Sequence, residues 1–335
     1  MDDYTTKDIV LSYEKNNLNQ VKELWDEAFG DPEMFTDYYF ENIYRKNRVL
    51  SAYYKDELVG MIHLNPYKVL FDKREHECSY IVGVAVKEHM RGKGIMKYML
   101  SNALDDIKDE APFAFLMPRK QEFYNSSGFS MVYFNRILEC SIVDENEFER
   151  DITDCYSSLR LHTINLSGLS IDEYDTLACK INDLLASKYV SFSKRSKEYL
   201  QSMVKEHLCQ HGDVYLVNAI SYGDDEEDVC EHPVGLFSCD VYDDVIYVER
   251  FETFVDNGFP LLISVLKLAQ EISCSRCTIT VAEHDIDDID NVDKLVSGVE
   301  VAISDGKGIM AIPFTDKSED ILKTIKGNCF FDEIV

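Results

Sequence analysis

The residues best suited to chemistry form a tight turn between a strand-like segment and a helical one. Glycines let the backbone turn sharply, so that consecutive N–H groups point into one concavity. The positive end of the following helix lies behind those groups, and together they favour an anion such as a pyrophosphate. The candidate cofactor-binding residues are Val84, Ala85, Val86, Arg91, Gly92, Lys93, Gly94, Ile95 and Met96.

Two nucleotide-binding motifs also use glycine-rich turns, and both can be tested against the sequence. The chain has no G-x-x-x-x-G-K-[ST] segment, which excludes a P-loop. It also has no G-x-G-x-x-G segment followed by an acidic residue about 20 positions later, which excludes a dinucleotide fingerprint.

A second segment, Phe123 to Phe129 with Tyr124 at its start, follows the apolar run Phe113–Met117. The two segments together resemble the GNAT N-acetyltransferase superfamily. In that family an Arg/Gln-x-x-Gly-x-Gly/Ala turn holds the pyrophosphate of acetyl-CoA, and a Tyr-x-x-x-Gly-Phe segment follows the fifth strand. The resemblance covers residues 1–140, with departures at His89 and Met117.

The resemblance implies transfer of acetyl from acetyl-CoA to a primary amine by direct attack. The pantetheine arm would lie along the strand ending at Val84–Val86, where a backbone N–H polarises the thioester carbonyl. Tyr124 looks like the family's general acid, because a phenol with a pKa near 10 suits a thiolate with a pKa of about 8.5. A core aromatic with a satisfied hydroxyl is the alternative.

The residues leave the general base open. His63 and Glu77 are the nearest strand candidates, and His63 also fits a packed polar residue. The whole chain resembles the enhanced-intracellular-survival (Eis) type of acetyltransferase, in which the C-terminal carboxylate acts as the base. That resemblance makes the carboxylate of Val335 a candidate catalytic base, and an apolar tail that only closes a core is the alternative.

The element pattern predicts an α/β (α+β) fold with two consecutive GNAT-like mixed β-sheet domains flanked by helices. The second half repeats the element order of the first without an Arg-Gly-x-Gly turn, which predicts a degenerate domain. We predict an acetyl-CoA-binding catalytic domain over 1–145 and a degenerate GNAT-like domain over 146–285. Residues 286–335 are predicted to complete the second domain with a hairpin turning at Asp305-Gly306, a helix and a tail. This short C-terminal extension is smaller than a full sterol-carrier-like domain.

The charge balance limits the partners. The chain has 34 Lys and Arg against 62 Asp and Glu, a net charge of −28, so nucleic acid and anionic membranes are poor partners. A cationic small-molecule or peptide amine is the easier electrostatic partner. The alternative is that the negative surface only keeps the protein soluble. The resemblance to the Eis type also implies a possible homo-oligomer.

The ten cysteines are scattered along the chain, which is typical of reduced thiols. Because no secretory signal is visible either, we predict a cytoplasmic protein. Cys274 and Cys277 have the spacing of a metal or redox pair, but no second pair follows, so no metal site is predicted. Two other functions share the fold: acyl transfer with another donor or acceptor, and acetyl-CoA binding without catalysis.

Overall fold

The computed structural model describes residues 6–222, 229–286, 289, 294, 296–325 and 328–331. The chain divides into two compact units. The first unit comprises residues 1–132, 190–194 and 308–335, and the second comprises 133–189 and 195–307.

The helices and strands alternate along the chain. The first part contains β1 (Val10–Ser12), α1 (Leu18–Ala28), α2 (Glu33–Tyr38), β2 (Arg48–Tyr54), β3 (Glu57–Phe71), β4 (Arg74–Val86), α3 (Ile95–Ile107), β5 (Phe113–Leu116), α4 (Glu122–Asn125) and β6 (Ser130–Ile142). The remainder contains α5 (Glu145–Ser158), β7 (Leu161–Asn165), α6 (Ile171–Lys188), β8 (Ser191–Ser193), α7 (Lys197–Leu208), β9 (Asp213–Tyr222), β10 (Val229–Tyr242), β11 (Val245–Thr253), α8 (Phe259–Glu271), β12 (Arg276–Ala282), β13 (Val299–Pro313), α9 (Asp316–Thr324) and β14 (Cys329–Phe330).

The sheet of the first unit runs in the order β1-β2-β3-β4-β5, and the end of β13 pairs with β5. Strands β4 and β5 are parallel, because α3 carries the chain back between them. Side chains alternate between the two faces. Met61 packs in the cluster formed with α1 and α2, whereas its neighbour Ile62 packs in the cluster formed with α3.

The sheet of the second unit runs in the order β6-β12-β11-β10-β9-β7. Strands β11 and β12 are parallel and are linked by α8, as β4 and β5 are linked by α3. The inner side of α8 is fully buried in the core of this unit, for example at Leu262 and Leu266. The predicted mixed α/β fold, with its element order repeated, is confirmed.

Strand β13 corrects the sequence prediction in two respects. It continues through Asp305 and Gly306 instead of turning there. Its end pairs with β5, with Met310 opposite Leu116, so residues 308–335 belong to the first unit. The units therefore differ from the predicted domains 1–145, 146–285 and 286–335, because one strand can pair with a partner almost 200 residues away in sequence.

Smaller differences concern local elements. The sequence pattern predicts separate strands at 58–64 and 66–71, but the structure has one strand, β3, in which Pro66 is exposed. The pattern also predicts a helix over 33–45, and this segment forms α2 followed by a π-helical turn, Tyr39–Ile43. Within the described ranges, no helix is both long and apolar enough to cross a bilayer.

Candidate active site

The glycine turn is open and left-handed, as an anion-binding loop requires. Gly92 and Gly94 have φ angles of +76° and +81°. A Cβ atom built on Gly92 meets no atom within 4 Å, so the space in front of the turn is free of this chain's described atoms. Gly94 caps α3 without a side chain, which leaves the first N–H groups of α3 for a ligand. These donors suit the pyrophosphate of acetyl-CoA.

The arginine of this turn connects it to the end of β4. Arg91 Nε donates a hydrogen bond to Val86 O at 3.0 Å. The turn, the end of β4 and the start of α3 are therefore held together. Both Arg91 and Lys93 are exposed, and they add positive charge at the mouth of the site.

Strand β4 diverges from β5 just before the turn. Parallel pairing joins only Ser79 to Ala114 and Tyr80 to Phe115, whereas β4 stays paired with β3 as far as Val86. The backbone edge of residues 81–86 is thus left facing a slot between the two strands. This geometry suits an extended pantetheine arm.

Gly83 lies within the diverging part of β4, and the sequence analysis did not single it out. Its φ of +59° coincides with a register shift between β3 and β4, which marks a β-bulge. A Cβ atom at this position would lie 2.9 Å from Trp25 Cζ3, so only glycine fits. The available signal was a glycine inside a strand-like run of apolar residues.

Tyr124 lies on α4 and is brought to the other predicted site residues. Its ring is 9% exposed and meets Phe129 edge-on at 5.8 Å. Val84 and Val86 pack at the margin of the same hydrophobic cluster, as does Met96, and Ile95 belongs to it. Burial raises the pKa of Tyr124 to about 12, so the hydroxyl keeps its proton at neutral pH.

The candidate bases fall in different places. Glu77 is exposed on β4 opposite Lys68, seven residues before Val84, which is roughly 23 Å along a strand. The structure therefore does not bring Glu77 to the diverging part of β4. Val335 lies outside the described residues. The last described residue, Phe331, is buried against Phe113 and Phe115, with ring centroids at 5.3 and 5.5 Å.

His63 lies beside Gly83 in a buried network that the sequence analysis did not predict. Its Nδ1 is 2.7 Å from Tyr39 Oη, which accepts a hydrogen bond from Asn47 Nδ2 at 3.1 Å. Burial, with a smaller effect of Lys15, lowers the pKa of His63 to about 3. A histidine that stays neutral in this way is a poor base, and its only sequence signal was its position within an apolar strand.

In the second unit, β11 and β12 correspond to β4 and β5, and a buried ion pair lies where these two strands diverge. The parallel pairing of β11 with β12 ends at Val248 and Ile279. Beyond that point, Lys188 Nζ donates to Asp285 Oδ1 at 2.8 Å and to Thr253 O at 3.2 Å. This buried ion pair thus lies next to the ends of the two strands, at the position that corresponds to the diverging part of β4 in the first unit.

The cysteine pair of the second unit is buried and free. Cys274 and Cys277 form no disulfide, and burial raises the pKa of the Cys277 thiol well above its usual value. Within the part of the chain that the structure describes, no group of three or more His, Cys, Asp or Glu side chains is arranged to hold a metal ion.

Residues 10–132 match the family model of the acetyltransferase (GNAT) domain. The matched range contains the glycine turn, the diverging strands and Tyr124. This part of the chain is therefore similar to a GNAT acetyltransferase domain. The family uses acetyl-CoA as its co-substrate for acyl transfer, and the donors of the glycine turn fit that molecule.

Solved structures extend the likeness in fold over most of the chain. A probable N-acyltransferase from Enterococcus faecalis has a TM-score of 0.66 at 13% identity and covers 92% of this chain and 74% of its own. A GCN5-related N-acetyltransferase from Kribbella flavida has a TM-score of 0.62 at 14% identity, covering 93% and 73%. Eis1 from Mycobacterium abscessus has a TM-score of 0.56 at 13% identity, covering 91% and 73%. No protein with a curated description matches the sequence.

Proposed function

We propose that the chain is an N-acetyltransferase that transfers acetyl from acetyl-CoA to a primary amine. The observation that carries this proposal is the position of the open Gly92–Gly94 turn. This turn connects β4, the strand that diverges from β5, to α3, whose first N–H groups are free for a ligand. Both elements lie within residues 10–132, which match the GNAT domain. An anion site and an open slot next to each other suit the two parts of one acyl-CoA molecule.

The first unit supplies the binding groups. The N–H groups of residues 92–96 would hold the pyrophosphate, with the side chains of Arg91 and Lys93 adding charge. The free edge of Val84–Val86 would align the acyl group, and an N–H of that edge would polarise the carbonyl. Bound acetyl-CoA would supply an acetyl thioester at this position.

Two groups of the chain would move protons. As the nitrogen–carbon bond forms and the carbon–sulfur bond breaks, Tyr124 would give its proton to the leaving thiolate. The carboxylate of Val335 would take the proton from the attacking amine. The burial of Phe331 against β5 supports this second role, because it brings the tail to the strand beside β4 within the first unit.

The acceptor is proposed to be a small-molecule or peptide amine that is cationic in water. The net charge of −28 supports such a partner. One acetyl-CoA per chain is proposed, because the second half lacks the glycine turn and the Lys188–Asp285 pair lies where β11 and β12 diverge.

Calorimetric titration with acetyl-CoA tests the proposed site. The wild-type chain is expected to bind one molecule, and the variant Gly92→Glu is expected to lose binding, because a carboxylate would enter the pyrophosphate position. Gly30→Glu is the matched control. Gly30 also has a left-handed φ, +66°, and a Cβ there also meets no atom within 4 Å.

The pair of variants separates a local effect from a general one. Equal loss in both variants would show that a strained backbone, rather than the blocked turn, abolishes binding. Absence of binding to the wild-type chain would overturn the acetyltransferase proposal, and two molecules per chain would contradict the role given to the second unit.

A further inference from the structure

Two buried polar atoms on one face of β3 have no hydrogen-bond partner in the described part of the chain. They are His63 Nε2 and Asn65 Oδ1, and none of the described residues pairs with either. The two residues are 0% and 3% exposed. Because alternate residues of a strand share a face, both side chains lie on the same side of the sheet. Leaving such groups unpaired is costly, so a chain that keeps two of them side by side calls for an explanation.

The position of the pair relates it to the expected reaction centre. His63 Cγ lies 3.1 Å from where a Cβ on Gly83 would be, directly against the bulge within the diverging part of β4. Across the β3–β4 ladder, His63 is opposite Val82 and Asn65 is opposite Tyr80. The pair thus lies under the start of the diverging segment, on the face covered by α1 and α2.

The hydrogen bonds of His63 determine what its free nitrogen can do. Tyr39 Oη accepts from Asn47 Nδ2 and lies 2.7 Å from His63 Nδ1, and we take the tautomer in which the Tyr39 hydroxyl donates its proton to that nitrogen. Neutral His63 then carries its proton on Nε2. The pair therefore presents one donor, Nε2–H, beside one acceptor, Asn65 Oδ1, and neither group is charged.

The surroundings favour an uncharged group at this position. The rings of Trp25, Tyr39 and Tyr44 lie 5.4, 5.8 and 5.6 Å from the His63 ring. Lys15 Nζ donates to Tyr44 O at 2.6 Å and lies close enough to His63 to lower the pKa of its ring. A second positive charge from a ligand would be repelled here.

We propose that His63 and Asn65 are specificity residues that bind a carboxamide next to the reacting amine, as in an amino-acid amide or the first residue of a peptide. The carbonyl oxygen accepts from His63 Nε2–H, and an amide N–H donates to Asn65 Oδ1. A carboxamide carries its donor and acceptor on two atoms, as the protein does, whereas a hydroxyl carries both on one. Both protein atoms are shielded from solvent, so the aromatic side chains around them must move when the acceptor binds.

This inference rests on the proposed function, and the experiment separates the two. The full-length chain is assayed for free thiol release with acetyl-CoA and two probes, glycinamide and propylamine, and the ratio of their kcat/KM values is compared between variants. Differences in amine basicity cancel in that comparison. Asn65→Leu and His63→Phe are each expected to lower the ratio by at least about 10-fold, because each removes one partner of the amide.

Asn102→Leu is the matched control, since Asn102 lies on α3 and its amide donates to Tyr98 O. It is expected to keep the wild-type ratio. If Asn65→Leu does not fold, Asn65→Ala replaces it, because the alanine side chain is smaller than that of asparagine and causes no steric clash. With coenzyme A bound in place of acetyl-CoA, so that no acetyl transfer occurs, glycinamide is also expected to raise the melting temperature of the wild-type chain, and not that of the Asn65 variants.

A ratio that stays at the wild-type value in the His63 and Asn65 variants would overturn the inference. So would an equal loss of activity towards both amines, which indicates a structural role. Ethylenediamine preferred over glycinamide by the wild-type chain would also overturn it, because a dication would then be the better acceptor. Failure of the wild-type chain to bind acetyl-CoA would instead reject the proposed function itself.

Discussion

The Tyr124 hydroxyl is buried on α4 and carries a raised pKa, so it is protonated when a leaving thiolate needs a proton. We predict that Tyr124→Phe lowers turnover by about 100-fold or more while the affinity for acetyl-CoA is unchanged. Free thiol release and calorimetry measure the two quantities. Tyr13→Phe is the control, because it removes an exposed hydroxyl that bonds Asp106 at 2.8 Å. Wild-type turnover in Tyr124→Phe would remove the acid role.

His63 makes the stability of the chain depend on pH. Its pKa is lowered from 6.5 to about 3, so on acidification the unfolded chain takes up this proton before the folded chain does. The contribution is complete above pH 6.5 and is lost as the pH falls towards 3, by up to about 1.4 kcal/mol per pH unit. His63→Gln is therefore expected to show a shallower loss of stability between pH 6.5 and 4.5 than the wild type.

Urea unfolding at several pH values measures this difference. His89→Gln, at an exposed position, is expected to keep the wild-type slope. Parallel slopes for the wild type and His63→Gln would contradict the buried, neutral state of His63.

At the scale of elements, the C-terminal tail follows β14, and Phe331 is buried between rings of β5. If the Val335 carboxylate is the base, its position matters more than its side chain. We predict that deleting Ile334 and Val335 lowers turnover at least about 10-fold at neutral pH, with acetyl-CoA binding retained. Val335→Ala keeps a carboxylate at the same position and is expected to retain activity. Full activity after the deletion would remove the carboxylate from the mechanism.

The two diverging strand pairs show how similar elements acquire different uses. Each unit has an antiparallel pair, a helix and a parallel strand. In the first, Gly83 bends β4 and the turn at Gly92 stays open. In the second, the buried Lys188–Asp285 ion pair lies beyond the last paired residues. Side chains, rather than topology, therefore distinguish the proposed acyl-CoA site of the first unit from the corresponding part of the second.

At the scale of the whole molecule, the first unit is built from three stretches of chain, of which the last provides a strand neighbour for β5. A fragment limited to residues 1–145 lacks that strand and the ring of Phe331. It would leave the edge of β5 and the rings of Phe113 and Phe115 exposed. We predict that this fragment shows no cooperative thermal unfolding and no acetyl-CoA binding, as measured by circular dichroism and calorimetry. A fragment that melts cooperatively and binds acetyl-CoA would show that the later stretches are dispensable.

The sequence by itself determined the features that depend on neighbouring residues. The turn at Arg91–Gly94 lies where the local pattern predicted, as do the strand before it and the helix after it. Backbone freedom at glycine and the period of apolar residues act over a few positions, so they can be read without a structure. The repeat of element order in the second half was visible for the same reason.

Only the tertiary structure decided the pairings between residues far apart in the chain. The alignment of β13 with β5 moved residues 308–335 to the first unit, although the local pattern suggested a hairpin at Asp305-Gly306. The contact of His63 with Tyr39 and Asn47 likewise joins a strand to the segment after α2. Strand pairing and the burial of a polar side chain depend on which distant segment supplies the partner, and no spacing within one segment encodes that choice.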